Sequence, residues 1–282
     1  MQTIQQFIKL ALEEDLFTGD ITTLATIPHT QMGQAEFIVK EDCVIAGIEL
    51  ATLICKEISD QLICNFEYND GDLIKATQAI GIITGSVHAI LKGERLLLNC
   101  MQRMSAIASK TNYFVNLVKE DKVQILDTRK TTPNFRICEK WAVEIGGGMN
   151  HRFGLYDAIL IKDNHIAAAG GIKNAIIKCE EYIKSNNLEL PVIVEVKNLE
   201  EFKLAATFEF IDRILIDNFL PEDIHEIISF NKNRKKIEAS GGINASNIKN
   251  FASTGIDFIS IGDLTHHVSS IDISLKIKEY VV

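Results

Sequence analysis

The chain has 282 residues, 46% hydrophobic and 24% charged, a balance that excludes a disordered polymer and allows one large or two ordinary domains. Its formal net charge of −9 argues against non-specific attraction to nucleic acid or anionic membrane, so a basic site on it must be a local device. Ile4, Phe7, Ile8, Ala11 and Leu12 recur at helical spacing and predict an amphipathic helix that ends in the polar stretch 13–20. Alternation at Ala35, Phe37 and Val39, and again at Leu62, Cys64, Phe66 and Tyr68, predicts half-buried strands. Asn69-Asp70-Gly71-Asp72 is a turn signal. A long helix is predicted from near Leu96, with Met101, Met104, Ala108 and Val115 on one face.

From Val123 the pattern changes to short β-branched runs at 123–127, 158–162, 192–196, 213–217, 235–239 and 257–261. Helical segments separate them, such as Ile172, Ala175, Ile176, Cys179 and Ile183, or Ile248, Phe251 and Ala252. Apolar strands joined by helices predict a parallel sheet covered on both faces, either doubly wound or closed as a barrel. Charged or polar residues sit at the C-terminal end of nearly every run, where a (β/α) barrel places its chemistry on one rim. No GxGxxG follows the first of these strands, so a dinucleotide-binding sheet lacks its fingerprint. The expected fold class is α/β, with a barrel-type domain of about six parallel strands.

The six cysteines (43, 55, 64, 100, 138 and 179) form neither a CxxC pair nor a zinc-spaced cluster, and they read as reduced thiols, several of them core filler. The opening MQTIQQFIKL lacks the order of a signal peptide, and the apolar stretch 79–91 is too short and too interrupted to span a bilayer. A soluble, cytoplasmic protein is expected.

On the predicted rim the cations are Arg129, Lys130, His151, Arg152 and Lys162, with Arg95 on the entry to the long helix. The anions are Glu195 and Asp217, and the small elements are Ser240-Gly241-Gly242 and Ser260-Ile261-Gly262. Glycines after late barrel strands let backbone N–H groups approach phosphate oxygens. Arg suits planar carboxylates and Lys acts as a point charge, so the set predicts a small, multiply anionic substrate with a phosphate. Each piece also has a plainer reading. A single rim Arg or Lys is more often solvated or ion-paired, Asp127 can simply cap its loop, and His151 can be a structural histidine. Glu195, inside an apolar strand, is costly to bury without a partner.

The runs Asp127-Thr128-Arg129-Lys130-Thr131-Thr132-Pro133, Gly146-Gly147-Gly148-Met149-Asn150-His151-Arg152 and Leu160-Ile161-Lys162-Asp163-Asn164-His165 closely resemble the quinolinate phosphoribosyltransferase family. The resemblance extends upstream to residues 14–16, 19–23 and 93–95, and downstream to Glu195-Val196, residues 215–218, Ser240-Gly241-Gly242 and Leu264-Thr265-His266. It implies an open α/β sandwich domain over residues 1–107, on which 267–282 pack, and a catalytic barrel over 108–266. It also implies a homodimer with shared sites, or a higher oligomer, and Mg²⁺ carried with phosphoribosyl pyrophosphate. Carried over by residue, Arg95 (from the partner subunit), Arg129, His151, Arg152 and Lys162 would hold quinolinate. Lys130, Glu195, Asp217, Ser240, Gly241, Gly242 and Gly262 would hold phosphoribosyl pyrophosphate. Lys130, Lys162, Glu195 and Asp217 would be catalytic, with Glu195 and Asp217 facing the metal directly or through water.

That assignment is chemically coherent. Loss of pyrophosphate leaves positive charge at the anomeric carbon, which carboxylates stabilise, and the cations and Mg²⁺ stabilise the leaving group. The pyridine nitrogen attacks, and its new charge is an electron sink for loss of the 2-carboxylate. Cys100 and Ala106 depart modestly from the family pattern. Asp263 and His267 do so beside the phosphate loop, where Asp263 adds negative charge. Rival expectations are the molybdenum-uptake-associated branch of the same superfamily, a Schiff-base aldolase using Lys162, and a non-catalytic phospholigand-binding protein.

Overall fold

The computed structural model describes residues 3–231 and 235–278; residues 1–2, 232–234 and 279–282, and with them the outer ends of the expected 1–107 and 267–282 segments, lie outside the described residues. In chain order, α1 (Ile4–Leu16) and α2 (Ile21–Thr26) precede β1 (Met32–Val39), β2 (Cys43–Val44), α3 (Ile48–Ile58), β3 (Ile63–Phe66), β4 (Leu73–Ile74) and β5 (Ala79–Ser86). The long helix α4 (Val87–Leu117) leads to β6 (Gln124–Leu126), α5 (Arg136–Ile145), β7 (Ile159–Ile161), α6 (Asp163–Ala169), α7 (Ile172–Asn186) and β8 (Val192–Val196). Then follow α8 (Leu199–Ala205), β9 (Arg213–Asp217), α9 (Pro221–Asn231), β10 (Lys236–Ser240), α10 (Ile248–Ala252), β11 (Phe258–Ser260), α11 (Asp263–His266) and β12 (Ile273–Ile277). Among the described residues, no helix is long and apolar enough to cross a membrane.

The chain forms two compact units, the first holding the residues up to Asn112, Thr131–Gly147 and those from Asp263 onward. Its main sheet is antiparallel in the order β12-β1-β5-β3, with Ala35, Phe37 and Val39 of β1 buried as their alternation predicts. Thr3 and Gln6 form a capping box at the start of α1, and the helix runs on to Leu16 through the polar stretch expected to end it. Helix α4 begins at Val87 rather than near Leu96, directly after β5. The apolar stretch 79–91 therefore joins a strand to a helical turn, two elements that periodicity alone does not separate.

Residues 131–147 count with this unit, and α5 carries Glu139, fully buried, into a ring of donors from Arg103 and Thr132. Its carboxylate accepts from Arg103 Nε and Nη2 at 3.1 and 2.9 Å, and from Thr132 N and Oγ1 at 3.0 and 2.9 Å. A Cβ on Gly146 would fall 2.5 Å from the Ala108 carbonyl oxygen, so only glycine allows this approach. The compact units thus differ from the expected division at 107/108 and 266/267 by counting 108–112, 131–147 and 263–266 with the first.

The second unit comprises Tyr113–Lys130 and Gly148–Gly262. Its six strands are all parallel, in the order β6-β11-β10-β9-β8-β7. Strands β7 to β11 lie beside one another in chain order, and the last, β11, returns to the first, β6. That is the cyclic order of a barrel, without the order reversal of a doubly wound sheet. No ladder joins β6 to β7 among the described residues; instead Met149 bridges to Leu126 in parallel. The six strands lie within the predicted runs, except that β10 extends one residue later, to Ser240.

Candidate active site

In a strand, residues two apart face the same side, one pleat repeat farther along. Leu160, Ile193 and Leu215 form a buried apolar cluster from β7, β8 and β9. Lys162, Glu195 and Asp217 each follow one of these by two residues, so the same register that packs the cluster raises one cation and two carboxylates above it at the strands' C-terminal ends. Lys162 Nζ lies 3.0 Å from Glu195 Oε2; the carboxylate is buried and the ammonium 45% exposed. This ion pair supplies the partner that a buried Glu195 requires. Asp217 is half-buried and its Oδ2 accepts from Asn218 Nδ2 at 2.7 Å.

His151 is locked from both sides of its ring. The Arg152 backbone N–H donates to Nδ1 at 2.7 Å, so that nitrogen carries a lone pair and the proton sits on Nε2, which points at Glu238 Oε1 3.3 Å away. The His151 N–H donates to Asp127 Oδ1 at 2.8 Å. Asp127, fully buried at the end of β6, thus ties down the loop of His151, 24 residues later, which goes beyond capping its own loop.

Glu238 stands inside an apolar strand just as Glu195 does. It is fully buried and also accepts from Arg213 Nη1 at 2.9 Å and from the Ser260 hydroxyl. Arg213 in turn lies over the Phe258 ring at 4.0 Å from its centroid. Burial by itself would raise the Glu238 carboxyl, but the contacts with His151, Ser260 and Arg213 outweigh it and hold the group below the ordinary glutamate value.

Arg152 follows His151 and is half-buried. Its Nη1 donates to the Ala158 carbonyl at 3.2 Å, while its buried Nε has no hydrogen-bond partner among the described residues. Burial first, and then the like charge of Arg129, lower its guanidinium from the ordinary arginine value, partly offset by Asp157. Asp157 shapes the loop by accepting from the N–H groups of Phe153 and Gly154 at 2.6 and 2.8 Å. A half-buried arginine under the like charge of a second one makes a site that an anion relieves. Exposed Lys130 follows, its N–H donating to Thr128 Oγ1 at 3.1 Å. An open cavity of about 510 Å³ on this unit is mostly apolar, and of the predicted site residues only Arg152 borders it.

The glycine pair after β10 is shaped by Asn218. The Asn218 N–H donates to the Ser240 carbonyl at 2.9 Å, and a Cβ on Gly241 would fall 2.2 Å from Asn218 Oδ1. Gly241 and Gly242 have φ of +94° and +62°. The Asn247 amide donates to the Gly242 carbonyl at 3.1 Å, whereas no hydrogen bond occupies the N–H of Gly241 or Gly242 among the described residues. Open space lies where a Gly242 side chain would be. Two adjacent N–H groups with no partner among the described residues suit phosphate oxygens.

The structure therefore brings Lys162 to Glu195, His151 and Arg129 to Arg152, and Asp217 to Ser240 and Gly241 through Asn218. Gly262 follows β11 at the same end of the sheet. Arg95 is exposed on α4 and belongs to the first unit. Asp263, whose charge stood as a concern for the phosphate loop, is matched within the first unit: Lys110 Nζ lies 2.5 Å from one oxygen and His267 Nδ1 3.1 Å from the other. Burial would raise its carboxyl, but these partners hold it below the usual range.

Residues 20–105 and 107–276 match the family profiles described as quinolinate phosphoribosyl transferase, N-terminal domain and C-terminal domain. The chain is 41% identical to the chloroplastic nicotinate-nucleotide pyrophosphorylase [carboxylating] of Arabidopsis thaliana, over 97% of this chain and 82% of that protein. It is 38% identical to a probable nicotinate-nucleotide pyrophosphorylase [carboxylating] of Bacillus subtilis, over 94% of this chain and 90% of the relative. The solved nicotinate-nucleotide pyrophosphorylase of Francisella tularensis superimposes with a TM-score of 0.89 at 37% identity, covering 98% of this chain and 96% of that one.

Proposed function

This chain belongs to the quinolinate phosphoribosyltransferase family, and from that premise we propose how its residues divide the reaction. The enzyme transfers the phosphoribosyl group of phosphoribosyl pyrophosphate to quinolinate with loss of a carboxyl group, giving nicotinate mononucleotide, pyrophosphate and CO₂ in NAD biosynthesis. The observations that carry the division of roles are the like charge of Arg129 acting on half-buried Arg152 and the Lys162–Glu195 ion pair at the C-terminal end of the same sheet. Arg129, Arg152 and Lys162 bind the two quinolinate carboxylates, relieving that repulsion. His151 joins them through Arg152, whose backbone it holds. Lys162 Nζ is engaged by Glu195 Oε2 at 3.0 Å, and Schiff-base chemistry at Lys162 would not need the additional cations Arg129 and Arg152.

Glu195 and Asp217 face the ribose and stabilise positive charge at its anomeric carbon as pyrophosphate departs. Lys130 binds the pyrophosphate, and Ser240, Gly241, Gly242 and Gly262 bind the 5′-phosphate. The donor set fits Mg²⁺, because two carboxylates at an open rim leave room for the phosphates and waters that complete its oxygen shell. Bound there, Mg²⁺ supplies charge neutralisation for the leaving group. The pyridine nitrogen attacks, and the pyridinium formed accepts the electrons left by the departing 2-carboxylate. Arg95 enters from a second subunit in a cytoplasmic homodimer, a reading that rests on the motif Gly93-Glu94-Arg95.

Incubation with quinolinate, phosphoribosyl pyrophosphate and Mg²⁺ tests this. Nicotinate mononucleotide and CO₂ are expected in equal amounts; no product, or a nucleotide that keeps both carboxyl groups, contradicts it.

A further inference from the structure

We infer that Cys55 and Cys64 are a reversible dithiol–disulfide pair, a modification site in the first unit open to peroxide-type oxidants. Cys55 lies in the last turn of α3 and Cys64 in β3, and their Sγ atoms stand 2.6 Å apart. The sulfurs already face each other across the eight intervening residues 56–63, and a bond needs them to close to about 2.05 Å.

The chemistry of the six thiols singles out the same pair. Burial pushes Cys43 up to about 11 and Cys100 up to about 12, and it raises Cys138 and Cys179 as well. Such thiols are poor nucleophiles. Cys64 goes the other way: the hydrogen bond from Cys55 lowers it, while Cys55 is raised by that same bond and by its own burial. Cys64 is half-buried and Cys55 is 2% exposed, so the thiol nearer its thiolate is also the one an oxidant reaches.

The reaction balances in two steps. The Cys64 thiolate attacks a peroxide oxygen, an S–O bond forms as the O–O bond breaks, and the sulfur is oxidised by two electrons to a sulfenic acid while hydroxide leaves. Cys55 sulfur then attacks Cys64 sulfur, the S–O bond breaks, and the Cys55 proton leaves with that oxygen as water. A small dithiol reverses the bond by exchange. The crosslink would pin the end of α3, where Ile58 packs so closely on Gly93 of α4 that an added Cβ would fall 2.6 Å from Ile58 Cδ1. Arg95 is two residues farther along that helix.

The test treats the full chain with hydrogen peroxide, alkylates the remaining thiols after denaturation, and maps the peptides by mass. Reduced protein should take six alkyl groups and oxidised protein four, six less the bonded two, with a peptide linking Cys55 to Cys64 that dithiothreitol dissolves. A Cys55→Ser variant should form no such link and should instead yield a dimedone adduct at Cys64. Six alkylations after peroxide, or a protected pair elsewhere in the chain, would overturn the inference on wild-type protein alone, whatever the variant does.

Discussion

Two buried glutamates face the interior of the same parallel sheet and are held in opposite ways. Glu238 is surrounded by partners whose own positions are set: the locked His151 ring, Arg213 stacked on Phe258, and Ser260. Glu195 has the half-exposed Lys162 as its ion-pair partner, at the open end of the strands. A charge whose partners are all internal serves the frame, because moving any of them leaves it stranded. A charge whose partner is half in water can trade that partner for substrate. On this view β10 carries the carboxylate that shapes the site, and β8 the one that works in it.

Glu238→Ala tests the frame and should have the largest effect. Removing one member of a buried charge network costs about 3–5 kcal/mol, since Arg213 and the His151 proton would be left unpaired. Chemical denaturation should show that loss with or without substrate present. The same network makes a pH prediction. A carboxyl held below its ordinary value of 4.5 contributes stability that is complete above that value and is lost as pH falls through its lower native value. The melting temperature of the wild-type protein should therefore fall on the acid side of that value, and Glu238→Gln should flatten that limb.

Glu195→Gln tests the other half of the comparison. It should cut turnover about 10²–10³-fold, as removing one preorganised electrostatic group typically does, yet leave the melting temperature nearly unchanged. A loss of stability like that of Glu238→Ala would erase the distinction between the two carboxylates. A smaller effect is expected at Gly241→Ala, where a left-handed φ costs about 1–2 kcal/mol and the new methyl meets Asn218. Its KM for phosphoribosyl pyrophosphate should rise while that for quinolinate holds; the reverse would move the phosphate away from this loop.

The rim was legible in the sequence because strands buried on both faces leave a distinctive trace. Runs such as VIVEV and RILID carry their carboxylates at or next to their C-terminal ends, and their spacing brings Lys162, Glu195 and Asp217 to one end. What stayed hidden depends on pairing between distant segments. The resemblance places 267–282 on the first domain, but no pattern in residues 273–277 names β1 as their partner, and nothing in Arg103 points to Glu139. The start of α4 was obscured because a buried strand runs straight into a buried helix. Glu238 was open to the argument applied to Glu195, but its partners come from β9, β11 and the His151 loop, and only the strand register shows that they converge.

The central claim is that the arginine pair serves quinolinate and the glycine loop serves the ribose phosphate. The most direct measurement is the KM for each substrate in Arg129→Ala beside the wild-type enzyme. The value for quinolinate should rise about 10²-fold or more, the scale of one lost charge-assisted contact, with the value for phosphoribosyl pyrophosphate nearly unchanged. Equal losses for both substrates, or a loss confined to phosphoribosyl pyrophosphate, would contradict it.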